Sequence, residues 1–372
     1  MLVAHLSLRD FRSYEAAELR LGPTLTVVQG PNGAGKTNLL EALYMGCTGR
    51  SCRTQTDREV VRFGARAARV ELTARGADGD HLIRVLVEPG AGRQVRIDGI
   101  AAGRLTDVEA RPLAGVFLPD RLELVKGPPA LRRAHVDQVV AALWPARAAT
   151  RRAYARALAQ RNALLGRVRA GAAGADALRA WDLELATHGV ALSADRAAAT
   201  AELAPRYAEL AADLGLDGAA GLAYRPRTRA ETAEALATEL RERLPADLER
   251  GFTTHGPHRD DLVLSREGRA MRAYGSQGQQ RLALLALLLA ERDAIAATRG
   301  APPLMLLDDV MSELDGERRE RLVALLTAAP AGQSVITTTD LEHVPGAAGE
   351  GVARVAVVDG ALLADVGETV AA

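Results

Sequence analysis

Three short runs of apolar residues stand out along the chain, at residues 25–29, 304–307 and 335–339. Each run leads into a polar or glycine-rich turn. Runs of this length are typical of strands that are buried on both faces, as in a parallel sheet covered by helices. Residues 2–9 alternate instead, with an apolar side chain at every second position. This alternation predicts a strand at the start of the chain and argues against a signal peptide.

The segment 128–250 has a different character, because it is rich in Ala, Leu and Arg and follows a helical period. Glycines and one proline are expected to divide it into several helices. These residues are Gly166, Gly171, Gly174, Pro205 and Gly215. Near residue 251 the helical period ends and the sequence again suits both strands and helices. We therefore expect the segments before and after the helical insertion to form one discontinuous α/β lobe. The predicted boundaries are 1–122 and 252–372 for that lobe, and 123–251 for an inserted, mainly helical second lobe.

Apolar residues make up 48% of the chain and charged residues 25%, which is the composition of a globular protein and not of a disordered one. The longest apolar run, at 282–290, is too short to cross a bilayer. We therefore expect a cytoplasmic protein without membrane contact. Cys47 and Cys52 have no metal or redox spacing, and we expect both to be small core residues.

Charge is unevenly distributed, although the formal net charge is zero. From residue 121 to 170, ten Arg and one Lys accompany only two acids, whereas from 171 to 220 eight acids accompany three Arg. The first window is a candidate face for nucleic-acid phosphates, and two solvated surfaces without a ligand are the alternative. The candidate contacts in this window are Lys126, Arg132, Arg133, Arg151 and Arg152.

Lysine is almost absent, since only Lys36 and Lys126 occur among 47 cationic residues. A lysine retained in such a chain indicates a position where the planar guanidinium of Arg does not serve. Both lysines are therefore candidate functional residues, with an ordinary surface lysine as the alternative for Lys126.

A glycine-rich motif follows the first apolar run and opens a helical stretch, which is the context of a phosphate-binding P-loop. Its backbone N–H groups are expected to cradle the phosphates of ATP, Lys36 to reach the β- and γ-phosphate oxygens, and the Thr37 hydroxyl to ligate Mg²⁺. The candidate nucleotide-binding residues are Gly30, Pro31, Asn32, Gly33, Ala34, Gly35, Lys36 and Thr37.

Two carboxylates, Asp308 and Asp309, end the apolar run at 304–307. An acidic turn after a buried strand is common, but beside a P-loop it suits a second nucleotide-binding motif. In this interpretation Asp308 holds the Mg²⁺ shell together with Thr37, and Asp309 orients the attacking water. Asp309 and Lys36 are thus the candidate catalytic residues.

A third motif, Ser-Gln-Gly-Gln-Gln-Arg at 276–281, precedes an apolar helical run. Ser276 suits an N-cap, and the helix N-terminus would point at an anion; an N-cap without a ligand is the alternative. The motif resembles the signature motif of ABC ATPases, which contacts nucleotide bound to the opposite subunit. By that resemblance Ser276, Gly278 and Gln279 join the nucleotide-binding residues.

Taken together, the motifs resemble the RecF family of recombination mediators over essentially the whole chain. The most specific blocks are Gly-Pro-His-Arg-Asp-Asp at 256–261 and Leu-Leu-Asp-Asp-Val-Met-Ser-Glu-Leu-Asp at 306–315. The resemblance implies a P-loop NTPase head lobe of the ABC-ATPase type with an inserted helical lobe. It also implies an ATP-dependent homodimer that binds gapped or junction DNA in recombinational repair and supports RecO and RecR in loading the recombinase RecA.

Several positions depart from related sequences. Thr339 stands where transporter-type relatives carry a switch His, and Asp309 where they carry Glu; these two differences imply a weak, slow ATPase. Arg50 and Arg53 resemble the arginine loop of chromosome-associated ATPases, which would place a cation near phosphate or DNA; a solvated surface is the alternative for each. His258 is open between a catalytic and a packing role.

Two other classes of ATPase are the alternatives for the whole chain. A transporter-associated ATPase would couple to membrane domains, and the Thr in place of the switch His argues against it. A structural-maintenance protein would carry long coiled-coil arms, and the inserted segment is too short and too often broken by Gly and Pro for that.

Overall fold

The computed structural model describes residues 1–103, 105, 108, 111–328, 332–349 and 351–364. The chain forms two compact units. Unit 1 consists of Met1–Arg121, Asp213–Gly215 and Arg292–Ala372, and unit 2 of Leu122–Ala212 and Leu216–Glu291. Unit 2 thus runs to Glu291, whereas the sequence suggested a boundary at residue 251. Residues 365–372, the end of the predicted segment 252–372, lie outside the described residues.

Unit 1 contains an antiparallel sheet of six strands. The strands are β1 (Leu2–Phe11), β2 (Tyr14–Arg20), β4 (Ala68–Gly76), β5 (Gly79–Glu88), β6 (Gly92–Ile97) and β7 (Ile100–Ala102). Their order in the sheet is β2-β1-β4-β5-β6-β7. The alternating pattern at the start of the chain therefore does mark a strand, and β1 buries Leu6 and Leu8 on its inner face.

The second sheet of unit 1 is mainly parallel. Its strands are β3 (Leu25–Gln29), β8 (Ala114–Phe117), β12 (Leu304–Leu307), β13 (Ser334–Thr338), β14 (Val352–Val358) and β15 (Ala361–Ala364). Their order is β15-β14-β3-β13-β12-β8, and only the β14–β15 pair is antiparallel. All three apolar runs form strands of this sheet, as predicted; the third spans Ser334–Thr338 instead of 335–339.

Helix α1 (Lys36–Thr48) contacts strands of both sheets. Leu39, Leu40, Leu43 and Met45 on this helix are fully buried in the core that the two sheets share. Helix α1 therefore covers one face of the parallel sheet and packs against the antiparallel sheet on its other side. Two further helices of unit 1 are α2 (Asp57–Val60) and α11 (Gly316–Thr327).

Unit 2 is mainly helical, as the sequence predicts. Its helices are α3 (Glu123–Lys126), α4 (Pro129–Leu143), α5 (Ala148–Arg169), α6 (Leu178–Asp213), α7 (Ala233–Glu242), α8 (Leu244–Arg250), α9 (Met271–Tyr274) and α10 (Gln277–Arg299), the last of which ends in unit 1. A small antiparallel sheet contains β9 (Ala220–Arg225), β10 (Asp261–Arg266) and β11 (Arg269–Ala270) in the order β11-β10-β9. Pairing of β9 with β10 ties the segment after residue 251 to unit 2.

Two expectations for the inserted segment are wrong. Pro205 does not interrupt a helix but lies inside α6; a proline removes one helical hydrogen bond, and buried Leu203 and Tyr207 on either side hold the helix in place by packing. Gly166 likewise lies within α5. Gly215, with φ of 79°, does follow the end of α6.

The two cysteines are free, as expected, and burial raises the pKa of both thiols to about 12. Cys47 is fully buried in the core of unit 1, and Cys52 packs against that core. None of the helices in the described part of the chain is both long and apolar enough to cross a membrane.

Candidate nucleotide-binding site

The P-loop at residues 30–37 joins β3 to α1. Gly33 and Gly35 have φ of 82° and 116°, where a residue with a Cβ is strained. A Cβ at Gly30 would lie 2.4 Å from the carbonyl oxygen of Val357, so this position excludes any side chain. Gly35 precedes α1 without a side-chain cap. The open helix N-terminus therefore leaves its N–H groups available to a phosphate.

Lys36 is held against this loop and is only 7% exposed. Its Nζ donates to the carbonyl oxygens of Gly30 at 2.6 Å and Pro31 at 3.0 Å. Burial lowers the pKa of the ammonium, and the carboxylates of Asp309 and Asp308 oppose that shift. A compact ammonium fits this position, whereas the wider fork of an arginine would displace the loop.

Asp308 links the P-loop to the adjacent strand. Its Oδ2 accepts a hydrogen bond of 2.7 Å from Thr37 Oγ1, and its Oδ1 accepts one of 2.7 Å from Thr337 Oγ1. No role for Thr337 was predicted from the sequence, where its only signal is a run of threonines at the end of an apolar strand.

The oxygens of Thr37 and Asp308 are suited to a magnesium ion. Mg²⁺ takes oxygen ligands and is usually held by one or two protein groups together with phosphates and water. Among the described residues no group of three or more His, Cys, Asp or Glu side chains could hold a metal by itself. A metal at this position would thus share its coordination with the bound phosphates.

Asp309 has an unusual backbone conformation for a residue other than glycine, with φ of 47°. Its N–H donates to Thr337 Oγ1 at 2.9 Å, and its Oδ2 accepts a hydrogen bond of 3.1 Å from Ser312 Oγ. Its Oδ1 is buried and has no hydrogen-bond partner among the described residues. A buried carboxylate oxygen without a partner is rare, and this one is free to accept a hydrogen bond from water.

A buried carboxylate on α1, Glu41, organises two arginines beside the P-loop. Glu41 accepts hydrogen bonds from Arg12 at 2.7 and 2.9 Å and from Arg53 at 3.2 Å, and a further one from Ser51. Arg53 also donates to Asn38 Oδ1 at 3.0 Å. No role for Glu41 was predicted from the sequence, although an acidic residue within an otherwise apolar helix was a usable signal.

The signature segment is described within unit 2. Ser276 and Gln279 form a reciprocal capping box, because Gln279 N–H donates to Ser276 Oγ at 3.3 Å and Ser276 N–H donates to Gln279 Oε1 at 2.9 Å. This confirms the predicted N-cap. Ser276 and Gly278 are exposed, and a Cβ at Gly278 would meet no atom within 4 Å. The start of α10 is therefore open to a ligand.

Arg132 does not belong to a nucleic-acid surface, contrary to the prediction. It is 2% exposed, forms a two-pronged ion pair with Asp261 at 2.7 and 3.0 Å, and donates to the carbonyl of Gly127 at 2.8 Å. Counting charges along the sequence could not show that α4 turns this residue inward. Arg132 holds unit 2 together.

The other candidates in the basic window differ in exposure. Arg133 is half-buried and donates to the carbonyl of Asp260 at 2.8 Å; burial lowers its pKa. Arg151 is 60% exposed and pairs with Asp137 at 3.0 Å, and Arg152 is exposed. Arg151 and Arg152 are accessible to a phosphate, whereas Arg133 is accessible only in part.

Lys126 is 47% exposed and lies 3.5 Å from Glu123, one turn earlier. Arg50 is exposed just after the end of α1. Nothing in these contacts requires an ammonium at position 126, and both residues are accessible to a ligand.

His258 has a packing role in unit 2. Its Nε2 lies 2.9 Å from the carbonyl oxygen of Thr253, and its Nδ1 lies 2.7 Å from the hydroxyl of Tyr154. A carbonyl only accepts, so Nε2 donates and Nδ1 accepts from the tyrosine. Burial lowers the pKa of His258 to about 4, and the neutral ring is therefore the stable form.

The chain matches the family model described as RecF/RecN/SMC N terminal domain over residues 2–361. It is 43% identical over 361 residues to the DNA replication and repair protein RecF of Anaeromyxobacter dehalogenans (strain 2CP-C), covering 94% of this chain and 95% of that protein. It is 42% identical over 365 residues to the protein of the same name from Myxococcus xanthus (strain DK1622), covering 94% of each.

Solved structures show the same relationship. A structure of the recombination mediator protein RecF with ATP has a TM-score of 0.87 and 26% identity, covering 98% of both chains. An Smc head bound to the C-winged helix domain of ScpA has a TM-score of 0.58 and 17% identity, covering 97% of this chain and 96% of that one. The predicted fold class, a P-loop head of the ABC-ATPase type, is thereby confirmed.

Proposed function

This chain belongs to the RecF family, and on that premise we propose that it is an ATP-switched DNA-binding protein of DNA replication and repair. The observation that carries the proposal is the hydrogen-bonded chain from Thr37 through Asp308 to Thr337, which lies directly beside the P-loop. The relatives are named as DNA replication and repair proteins, which favours this function over transport.

In the proposed mechanism, the phosphates of ATP lie along the P-loop N–H groups at the start of α1. Lys36 exchanges its contacts with the carbonyls of Gly30 and Pro31 for phosphate oxygens. Thr37 and Asp308 would hold Mg²⁺, which would supply positive charge to the phosphates. Asp309 orients the attacking water through its unpartnered Oδ1, and hydrolysis is slow.

Nucleotide is proposed to close a homodimer. Ser276, Gly278 and Gln279 at the start of α10, of which Ser276 and Gly278 are exposed, contact the γ-phosphate held by the second copy, because a helix N-terminus stabilises an anion. Closure brings DNA contacts of both copies onto gapped or junction DNA, and hydrolysis releases them.

The DNA contacts proposed for each copy are the accessible residues among the cations that the sequence predicted as DNA contacts. They are Arg50, Arg53, Lys126, Arg133, Arg151 and Arg152, with Arg133 accessible only in part. RecO and RecR are the proposed protein partners, in support of RecA loading, and the cytoplasm is the proposed location.

Ser276→Arg tests the shared nucleotide site. We expect the variant to bind ATP as a monomer and to fail to dimerise with ATP, as measured by light scattering coupled to gel filtration. Thr232→Arg is the matched control, because Thr232 caps α7 in the same way, with its Oγ1 accepting from Ala235 N–H at 3.2 Å. Normal ATP-dependent dimers of Ser276→Arg would refute the shared site.

Lys36→Arg tests the P-loop itself. We expect ATP hydrolysis to be abolished, because the guanidinium is too wide for the contacts that Nζ makes. Lys126→Arg changes the only other lysine and keeps its charge. Its contact with Glu123 does not require an ammonium, so any effect would arise in the DNA complex, and we expect normal ATP hydrolysis with impaired coupling of ATP to DNA binding. Hydrolysis by Lys36→Arg at the wild-type rate would remove Lys36 from the active centre.

A further inference from the structure

A tight turn in unit 1 presents an exposed aromatic ring. Ala65 N–H donates to the carbonyl of Arg62 at 3.0 Å, which closes a four-residue turn. Phe63 occupies its first corner and Gly64, with φ of 85°, its second, the arrangement that requires glycine in a type II turn. The side chain of Phe63 is 99% exposed. The ring therefore gains nothing from the core of the protein.

The base of this turn is fixed to the antiparallel sheet. Arg62 N–H donates to the carbonyl of Asp10 at 2.8 Å, and Val61 forms an antiparallel bridge with Phe11. Phe11 is completely buried. Phe63 is thus held at the tip of an anchored turn, so that little backbone entropy is lost when a ligand binds to it.

Arginines surround the turn. A surface cavity of about 450 Å³ is lined by Arg9, Arg62, Arg66 and Arg69, with Asp10 as its only acidic lining residue. Among the described residues no ion pair involves Arg66, which is exposed. The cavity therefore carries an excess of positive charge, and Arg66 offers a guanidinium without an ion pair in the described part of the chain.

The positive charge of the other arginines of the cavity is partly offset by neighbouring carboxylates. Arg62 pairs with Asp10 at 2.9 Å and with Glu15 at 3.3 Å, and Arg69 lies 3.9 Å from Glu71. Arg66 is therefore the first phosphate contact to expect.

We propose that Phe63 and the surrounding arginines form a binding site for single-stranded DNA. An unpaired base stacks on the ring of Phe63, and the adjoining phosphate lies against Arg66. Aromatic side chains combined with a cationic groove are how proteins bind single strands without reading their sequence, whereas the bases of a duplex are already stacked on each other. The inference rests on the proposed function only in taking DNA as the partner, and it needs neither ATP nor a dimer.

Phe63→Trp tests the stacking directly. Both natural tryptophans, Trp144 and Trp181, lie in unit 2, so the wild-type signal can be subtracted. We expect a twelve-residue oligothymidylate to quench the fluorescence of the new tryptophan, and a duplex of the same length to leave it unchanged. Absence of quenching at concentrations that saturate binding would overturn the proposal.

Phe63→Ala tests the energetic contribution, with fluorescence anisotropy of a labelled oligothymidylate as the measurement. We expect roughly tenfold weaker binding from loss of one stacked base, and Arg66→Gln should reduce the log–log salt slope by about 0.7. Ile100→Ala is the control, since it shortens another apolar side chain of unit 1 that is 75% exposed.

Unchanged affinity of Phe63→Ala would overturn the site and leave the exposed ring to a protein partner. Failure of the wild-type protein to bind the oligonucleotide would also overturn it. Neither result would affect ATP-dependent dimerisation, which the Ser276→Arg and Lys36→Arg variants test separately.

Discussion

Glu41 in unit 1 and Arg161 in unit 2 are both fully buried charged residues, but they are surrounded differently. The partners of Glu41 reach solvent, since the side chains of Arg12 and Arg53 are 18% and 37% exposed. Part of each guanidinium is thus still available to a ligand.

The partners of Arg161 are closed off from solvent. Its Nε donates to Asp182 at 2.7 Å, and its Nη1 donates to Asp247 and to Thr253 Oγ1, each at 2.7 Å. Asp182 and Asp247 are 4% and 0% exposed. Nη2 of Arg161 is buried without a partner among the described residues.

The difference shows how the same residue types serve recognition in one place and folding in another. A buried anion that holds partly exposed cations orients positive charge towards solvent. A buried cation enclosed by anions has no free face and can only stabilise the fold, at a desolvation cost that its partners must offset.

Of the substitutions that test this comparison, Arg161→Met should have the largest effect on stability. It leaves Asp182 and Asp247 buried without a cation, and we expect it to destabilise unit 2 by about 3–5 kcal/mol. Urea unfolding followed by tryptophan fluorescence measures this, because Trp144 and Trp181 both lie in unit 2. A loss below about 1 kcal/mol would mean that the cluster is hydrated and not closed.

His258 should show the next largest effect, because it bonds to the carbonyl of Thr253 at the border of the Arg161 cluster. Its pKa is about 4 in the folded protein and about 6.5 in an unfolded chain. As the pH falls from 7 to 5, the unfolded state takes up a proton and the folded state does not, so stability decreases by about 2 kcal/mol.

His258→Gln should remove that part of the pH dependence. Unfolding midpoints at pH 7 and pH 5 measure the difference between variant and wild type, independently of any loss that the substitution causes at both pH values. If the stability of the two proteins depended equally on pH, the ring of His258 would be protonated at pH 5 in the folded state as well, which would contradict the prediction.

Arg53→Met should have the smallest effect on stability, below about 1 kcal/mol, because the side chain is partly exposed. Its effect should fall on ligand binding instead. If Arg53 contacts DNA, the log–log salt slope of DNA binding decreases by about 0.9; if it contacts nucleotide, the KM for ATP rises. A variant unchanged in both assays would show that Arg53 is only a structural partner of Glu41.

The parts of the molecule that could be predicted are those whose chemistry is contiguous in the sequence. The P-loop, the strand before Asp308 and the cap at Ser276 each depend on residues within one turn or strand, and the structure has all three. Local spacing was enough to identify them.

Long-range contacts were not predictable in the same way. The hydrogen bond between Thr37 and Asp308 joins residues 271 positions apart, and Thr337 becomes part of the site only because β13 lies beside β12. The inward turn of Arg132 and the continuity of α6 through Pro205 likewise depend on tertiary packing, which overrides local propensity.

Strand β3, which leads into the P-loop, ends at Gln29, yet its two neighbours in the sheet are β13 and β14, which begin at Ser334 and Val352. A ribosome that adds about 5–20 residues per second takes roughly 15–60 s to make the chain between them. Throughout that time the nascent protein contains the whole P-loop motif but neither strand that flanks it. We therefore expect a polypeptide cut short before β13 by a nonsense codon or a stalled ribosome to be unable to bind ATP, which makes nucleotide binding a property of chains in which both flanking strands have been made.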